Sequence, residues 1–488
     1  MESVQNPEQP TAVICQFARM GDLAQTLPLI NQIAGRYRLR LFCDRSVESW
    51  AKTIPVVTEV VSLDTREWRR RCLTPAELFF RSLHDLDGGL RTWMPDDLSP
   101  VFALNDHPVS DALLGWICFA RPERWLTRRL MLVRSYIRMI AGRRRLNRIH
   151  LADLWASFAM EDGKSARIPS SIRQMGTRFA NSVWEEWKRR KSRRIWGMIL
   201  GSGAKSRRLE PEDFARIWSG IPETIRPALV LIGGPGEEPL SEKFLRFVPS
   251  SNSDILNLVG RSSPEELIAV LMDLEYVIGV DTGPLHWAAA VGTKVLGFYF
   301  AEAGFHDTGP YGEGHLVLAP ECPEYPCHPR RAELCGRLCR NAFLNAGGFA
   351  SFLSRLVQNG DVVWNQPPKN LRIYRSTLRE GWNRFESAQD DAQDETAEGF
   401  ADYVKKILRE TPQKERNAPN RSVAWLRQLW RDEVLSLSFP RSVLDEIVDR
   451  VKREAISTLT SEVDITTAYE NLTPERRLLS VEPAQVGA

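Results

Sequence analysis

Residues Val277 to Gly292, Val-Ile-Gly-Val-Asp-Thr-Gly-Pro-Leu-His-Trp-Ala-Ala-Ala-Val-Gly, read as a buried strand, a polar Gly-Pro turn and a small-residue helix in immediate succession. A chain with this segment must place a helix N-terminus at the carboxyl end of a core strand. At such a turn Asp281 and Thr282 can cap the helix, Gly283 lets backbone approach a ligand, and Pro284 fits the first helical position, where no N–H partner is needed. Free N–H groups and the positive end of the helix dipole then favour an anion, most naturally a diphosphate. A plain capped helix after a core strand would use the same turn; His286 and the tight Ala288-Ala289-Ala290 face favour the anion site.

Strand-like segments recur at Ala12–Phe17, Leu39–Cys43, Ile195–Leu200, Ala228–Ile232, Ile255–Leu258, Tyr276–Val280 and Lys294–Phe300, separated by helical stretches. Such alternation predicts parallel sheets covered by helices, with ligands at the carboxyl ends of the strands. The pattern restarts at Ile195 after a long basic helical region, which predicts one domain over 11–192 and a second over 193–363. Beyond Val363 the chain turns charged, and 364–488 read as a helical extension. Its acidic stretch from Glu386 to Glu398 serves as a flexible connector, and a helical run follows with Trp425, Leu426, Leu429, Trp430, Val434 and Leu435. The 488 residues, 43% of them hydrophobic, suffice for sizeable cores, and a net charge of +3 selects no partner class. The polar start Met1 to Pro10 lacks the basic and apolar run of a secretory signal, and no apolar segment approaches the roughly 20 residues of a membrane span; Ala112 to Ala120 is among the longest. The expectation is a cytoplasmic protein, with the inner face of a membrane as an alternative station.

A second informative segment lies near the amino terminus. The strand Ala12 to Phe17 is followed by Arg19-Met20-Gly21-Asp22-Leu23-Ala24-Gln25-Thr26-Leu27-Pro28-Leu29-Ile30. Arginine, then Gly-Asp, then a Thr-x-Pro helix, with Asp-Thr-Gly-Pro-x-His about 260 residues later, resembles the family 9 glycosyltransferases, the heptosyltransferases of lipopolysaccharide core assembly. The resemblance covers roughly residues 11 to 360 and leaves the rest of the chain unaccounted for. It implies an α/β chain of two doubly wound Rossmann-like domains facing a cleft, the GT-B arrangement, plus the helical C-terminal extension. It further implies ADP-heptose as donor, a phosphorylated glycolipid of the inner leaflet or a related envelope polymer as acceptor, and inversion at the anomeric carbon.

That chemistry requires one base on the acceptor side and cations or N–H dipoles on the leaving diphosphate. Asp22 matches the family's base, although a helix cap needs the same residue at the same place. Arg19 and Gly21 fall on the acceptor side, where Arg19 can hold Asp22 ionised or bind an acceptor anion. The loop Gly201-Ser202-Gly203-Ala204-Lys205-Ser206-Arg207-Arg208 suits a diphosphate, with Ser202 on the donor. The family carries lysine followed by Arg-Trp-Pro here, and this chain departs from it. Counting back from Phe214 puts Arg207 at the lysine's position, so either Lys205 or Arg207 assists the leaving group, and a merely solvated basic loop is the plain alternative. In Ile232-Gly233-Gly234-Pro235-Gly236-Glu237-Glu238, Gly234 and Glu237 match the family's ribose-side Gly-Gly-x-x-Glu, with Glu238 as second choice. Asp281, Thr282, Gly283, Pro284 and His286 complete the donor side; Asp281 braces the loop, and His286 donates to diphosphate or orients Asp281.

Cys322, Cys327, Cys335 and Cys339 crowd one Pro- and Arg-rich segment. Four thiols there suit a structural zinc or iron, although the spacing is not that of paired Cys-x-x-Cys, and a packed or disulfide-like cluster competes. The chemistry itself calls for no cofactor. Arg121 to Arg148 hold ten arginines and one acidic residue, Glu123, interleaved with Trp125, Leu126, Leu130, Met131, Val133, Ile137 and Ile140. Basic and apolar faces together suit an anionic membrane surface or the acceptor, and equally a core helix with a solvated basic face. No recognisable nucleic-acid module is present. The rival readings are the same fold using another nucleotide sugar or a protein acceptor, and a non-catalytic nucleotide-sugar-binding regulator.

Overall fold

A computed structural model of the chain describes residues 9–71, 100–105, 144–159, 182–191, 194–248, 254–327, 338–344, 348–359, 370–387 and 392–410, together with Val133, Tyr136 and Ile137. Strands β1 Thr11–Gln16, β2 Arg38–Asp44, β3 Val57–Leu63 and β4 Val101–Ala103 form a wholly parallel sheet in the order β3-β2-β1-β4. A larger sheet contains β5 Ile195–Ile199, β6 Ala228–Ile232, β7 Ile255–Asn257, β8 Tyr276–Val280, β9 Lys294–Phe298, β10 Leu316–Pro320, β11 Leu371–Arg379 and β12 Trp382–Ser387. Its order is β12-β11-β10-β9-β8-β5-β6-β7.

Every residue of β6, β8 and β10 is buried, as befits strands covered on both faces. The larger sheet starts at β5 and winds first toward β7, then through β8 toward β10, all parallel. That is a doubly wound order with its switch point between β5 and β8; in the smaller sheet the reversal falls between β1 and β4. The chain is therefore an α/β protein with two Rossmann-like sheets. The loops after β1, β5 and β8, which carry Asp22, Lys205–Arg207 and Asp281–His286, all sit at these switch points.

The region beyond residue 363 is not the helical extension expected. β11 pairs antiparallel with β10, and β12 antiparallel with β11, so the boundary at 363 cuts through the second sheet. Glu380 and Gly381, at φ of 52° and 83°, form the two-residue turn with positive φ at both positions that suits the twist of a hairpin. Leu371, Ile373, Trp382 and Phe385 are buried, and alternation with charged residues disguised them. The supposed acidic connector also departs from expectation, since Ala392–Glu410 is a helix. The Trp425–Leu435 run lies outside the described residues.

One apolar core contains Leu23, Leu27 and Leu41 of the first domain together with Leu285, Trp287 and Ala288 of the second, so the domains share a continuous seam. Polar ties reinforce it. Asp153, in the helix Leu151–Ala156, accepts the Asn383 N–H and the Tyr311 hydroxyl, each at 2.8 Å. Arg144 pairs with Asp307 at 2.9 Å and Arg145 with Glu324 at 2.8 Å, while Arg148 is buried. Arg144 and Arg145 of the basic region thus serve the seam, and Arg148 donates to the Arg145 and Asn147 carbonyls beside it. Apart from Val133, Tyr136 and Ile137, the rest of Arg121–Arg143 lies outside the described residues, as does the amphipathic face read there. Among the described residues no helix is long and apolar enough to cross a membrane.

Candidate functional site

β1 ends at Gln16, a buried polar side chain whose amide nitrogen donates to the Thr26 hydroxyl at 3.0 Å and whose oxygen accepts the Ala18 N–H at 3.2 Å. Phe17 N–H donates to Asn105 at 2.6 Å. These bonds fix the turn that leads into the helix Met20–Gln25, which is separated at Thr26 from a second helix, Leu27–Ile33, with Pro28 in its first turn. Asp22 is the third residue of the first helix, and its Oδ2 accepts the Arg19 N–H at 3.1 Å. Capping and a catalytic role are therefore compatible, because the cap engages one carboxylate oxygen. Burial pushes the Asp22 carboxyl above the usual range; the Arg19 N–H and the charge of His286 pull it back, and Asp281 adds to the rise.

The second domain meets this helix directly. A Cβ on Gly21 would lie 2.8 Å from His286 Cδ2, and one on Gly283 would lie 2.5 Å from Met20 Cε, so the two backbones approach as only glycines permit. Trp287 Nε1 donates to the Met20 carbonyl at 3.2 Å, and its ring packs against Trp50 with centroids 5.0 Å apart. Gly21, expected on the acceptor side, stands at the domain seam.

In the helix Gly283–Ala290, Pro284 occupies the second position, one later than expected. Thr282 is the N-cap in extended backbone, but its side chain makes no cap bond. Asp281, at the end of β8, takes a short ion pair from Arg207 on Oδ2 and has His286 Nε2 at 3.4 Å from Oδ1. Burial alone would raise its carboxyl; the hydrogen bond and charge of His286, then Arg207 and Arg144, outweigh burial and hold it below the usual range. Ser202 lies under this turn, its hydroxyl 3.4 Å from the Asp281 carbonyl.

Arg207 is doubly engaged, because its Nε also lies 3.3 Å from Glu302, which in turn accepts the Ser206 hydroxyl at 2.7 Å. Lys205, beside it in the short helix Lys205–Arg207, is exposed and has no ion pair with a described residue. From the first domain the Arg19 guanidinium reaches the same loop, 2.8 Å from where a Gly203 Cβ would lie. Glu237 accepts the Gly234 N–H at 2.9 Å and rests against Gly201, bridging the loops after β5 and β6; Glu238 accepts the Gly236 N–H at 2.7 Å. On the first-domain side lies a cleft of about 690 Å³, lined among others by Phe17, Arg19, Asp22, Trp50, Asn105 and Trp155.

The structure thus brings Asp22, Arg19, Gly21, Ser202, Lys205, Arg207, Asp281–Pro284 and His286 to one seam, with Gly234 and Glu237 on the neighbouring loop. Gln16, Glu302 and the Trp50–Trp287 pair escaped sequence reasoning. A glutamine closing a hydrophobic strand was the one available signal for Gln16, and Glu302 carries none. The cysteines stand apart: Cys322 and Cys339 are in hydrogen-bond contact, with Cys327 close by. Burial, then Cys322, pushes the Cys339 thiol up to about 12. Cys335 lies outside the described residues, and among the described residues no three ligand side chains converge as a metal requires.

Residues 170–335 match the family model for glycosyltransferase family 9 (heptosyltransferase), a span that holds the Gly201–Arg208 loop, Glu237 and the Asp281–His286 turn. Among solved structures, the chain is similar to a family 9 glycosyl transferase from Veillonella parvula DSM 2008, with 16% identity over 62% of this chain and 83% of that one, at a TM-score of 0.44. It is also similar to E. coli ADP-heptose lps heptosyltransferase II, with 13% identity over 70% and 99% of the two chains and a TM-score of 0.45. E. coli heptosyltransferase WaaC with ADP gives 15% identity, coverage of 68% and 97%, and a TM-score of 0.45. No curated protein matches the chain.

Proposed function

We propose that this chain, a heptosyltransferase-like glycosyltransferase by its family 9 match, is an inverting enzyme that moves a heptose from ADP-heptose to a hydroxyl of a lipopolysaccharide-core or related envelope acceptor. The observation that carries the reading is the meeting of Asp22 from one domain with the Asp281–His286 turn of the other, across Gly21.

In this reading the acceptor lies in the first-domain cleft beside Asp22. Asp22 takes the hydroxyl proton as the oxygen attacks the anomeric carbon, and the bond to the nucleoside diphosphate breaks with its electron pair leaving on the diphosphate oxygen. Lys205 and the N-terminal N–H groups of the helix Gly283–Ala290 meet that developing charge. Arg207 is held by two carboxylates, which suits it to bracing Asp281 and leaves the leaving-group role to Lys205. Glu237, which accepts the Gly234 N–H between the loops after β5 and β6, accepts the ribose hydroxyls in this reading. Arg19, spanning from the acceptor cleft to Gly203, stabilises charge between the two substrates.

Calorimetric titration with ADP-heptose, UDP-sugars and GDP-sugars, with ADP as reference, tests the donor. Selective binding of ADP and its heptose supports the assignment; preference for a uridine or guanosine sugar overturns the donor, and binding of none overturns the proposed reaction. Asp22→Asn tests the chemistry. It should lower transfer by about 10²- to 10⁴-fold while donor affinity stays unchanged, and a variant that retains full activity removes Asp22 as the base.

A further inference from the structure

Gln25 ends the helix that carries Asp22 and is only 3% exposed. Its Oε1 is buried with no hydrogen-bond partner among the described residues. Across the seam His286, 8% exposed, has the same deficit at Nδ1, while its Nε2 faces Asp281 at 3.4 Å. Both residues line one small cavity between the domains, with Ala24, Pro28, Ala290 and Tyr311, and about 10 Å³ of it is open to the centre of a water molecule. That is roughly the room a single water needs. Buried polar atoms in folded proteins are nearly always bonded, to ordered water where no protein group reaches them.

We propose that this cavity is a binding site for one structural water shared by Gln25 and His286, and that Gln25 is thereby a positioning residue for His286. A water that donates one hydrogen to Gln25 Oε1 and the other to His286 Nδ1 leaves the imidazole proton on Nε2, where it faces Asp281. The ring is then held at both nitrogens. When the imidazole gains a proton, the same water turns, accepts from Nδ1–H and still donates to Gln25, so His286 keeps its place in either state. The remaining wall offers no rival donor: Ala24, Pro28 and Ala290 are apolar, and the Tyr311 hydroxyl gives its proton to Asp153 at 2.8 Å. The water site itself does not rest on the reaction proposed above.

The test is long-range proton–nitrogen NMR of the full chain labelled with ¹⁵N-histidine, which has seven histidines, with His286→Gln identifying the signal. At a pH where the imidazole is neutral, the wild type should show the Nε2–H tautomer with Nδ1 at the position of a hydrogen-bonded acceptor. Gln25→Met, similar in shape but without the acceptor oxygen, should shift Nδ1 toward the unbonded position, and Gln25→Glu should restore it. An Nδ1 signal unchanged in Gln25→Met overturns the proposal. Should that variant not fold, the wild type alone decides. A high-resolution crystal structure must show a water within about 2.7–3.2 Å of both atoms, and a dry cavity overturns the site. A protein that binds no sugar nucleotide but shows this water would sink the proposed reaction and leave the present inference standing.

Discussion

Asp22 and Arg207 show what a short motif fixes and what it leaves open. The positions of Asp22, Asp281 and His286 were legible because a helix-start aspartate, a strand-end carboxylate and a helix-start histidine follow one another in order along the chain. The double engagement of Arg207 was not legible, since it depends on Glu302, a residue nearly a hundred positions away that closes on Arg207 only in three dimensions. Truncating Arg207 to methionine should leave Asp281 and Glu302 facing one another without their cation. A loss of about 3–5 kcal/mol of stability in denaturant titration is expected. Lys205→Met should leave stability unchanged and lower kcat by about 10²-fold; equal stability losses in the two variants would contradict this assignment. The acid limb of the rate profile is a further expectation. Burial raises the Asp22 carboxyl, so the ionised base is lost on acidification at a pH above the ordinary aspartate value of 3.8, and an acid limb at or below that value would point to another base.

At the scale of elements, full burial did not by itself make a strand readable: β6 and β8 were expected, β10 is equally buried and was not, and the half-buried β7 was. β6 and β8 match their expected limits of Ala228–Ile232 and Tyr276–Val280. β3, with two exposed positions, and β11–β12, interrupted by arginines and glutamates, lacked an apolar run. The one sequence cue for the hairpin was Glu380-Gly381, a weaker turn signal than Asn-Gly. The element correction carries its own prediction. Trp382, 1% exposed, should cost about 3–5 kcal/mol when replaced by alanine. A chain ended at residue 363 would leave β10 as an uncovered apolar edge and should be insoluble or aggregated on expression. A soluble, cooperatively folding truncation would show that the hairpin is an accessory.

For the whole molecule, the seam is where the sequence was silent, because contacts between residues hundreds of positions apart leave no local pattern. Asp153 illustrates it, joining the helix Leu151–Ala156 to both Tyr311 and Asn383. Burial pushes its carboxyl from 3.8 up to about 7, against the hydrogen bonds of Asn383 and Tyr311 and the charge of Lys405. A carboxyl that holds its proton more tightly folded than unfolded contributes stability below its unfolded value, and that contribution is lost as pH rises toward about 7. Thermal unfolding measured from about pH 4 to 7 should therefore show a declining term in the wild type that is missing from Asp153→Asn, whatever the absolute stability of that variant. Parallel curves would mean that Asp153 is ionised throughout. Trp50 and Trp287, one from each domain with rings 5.0 Å apart and inclined at 33°, have a consequence of another kind. Two indoles this close couple their electronic transitions, so the molecule contains its own optical gauge of separation. The near-ultraviolet circular dichroism that disappears in Trp50→Phe is the part that should fade whenever the domains part, with no label attached.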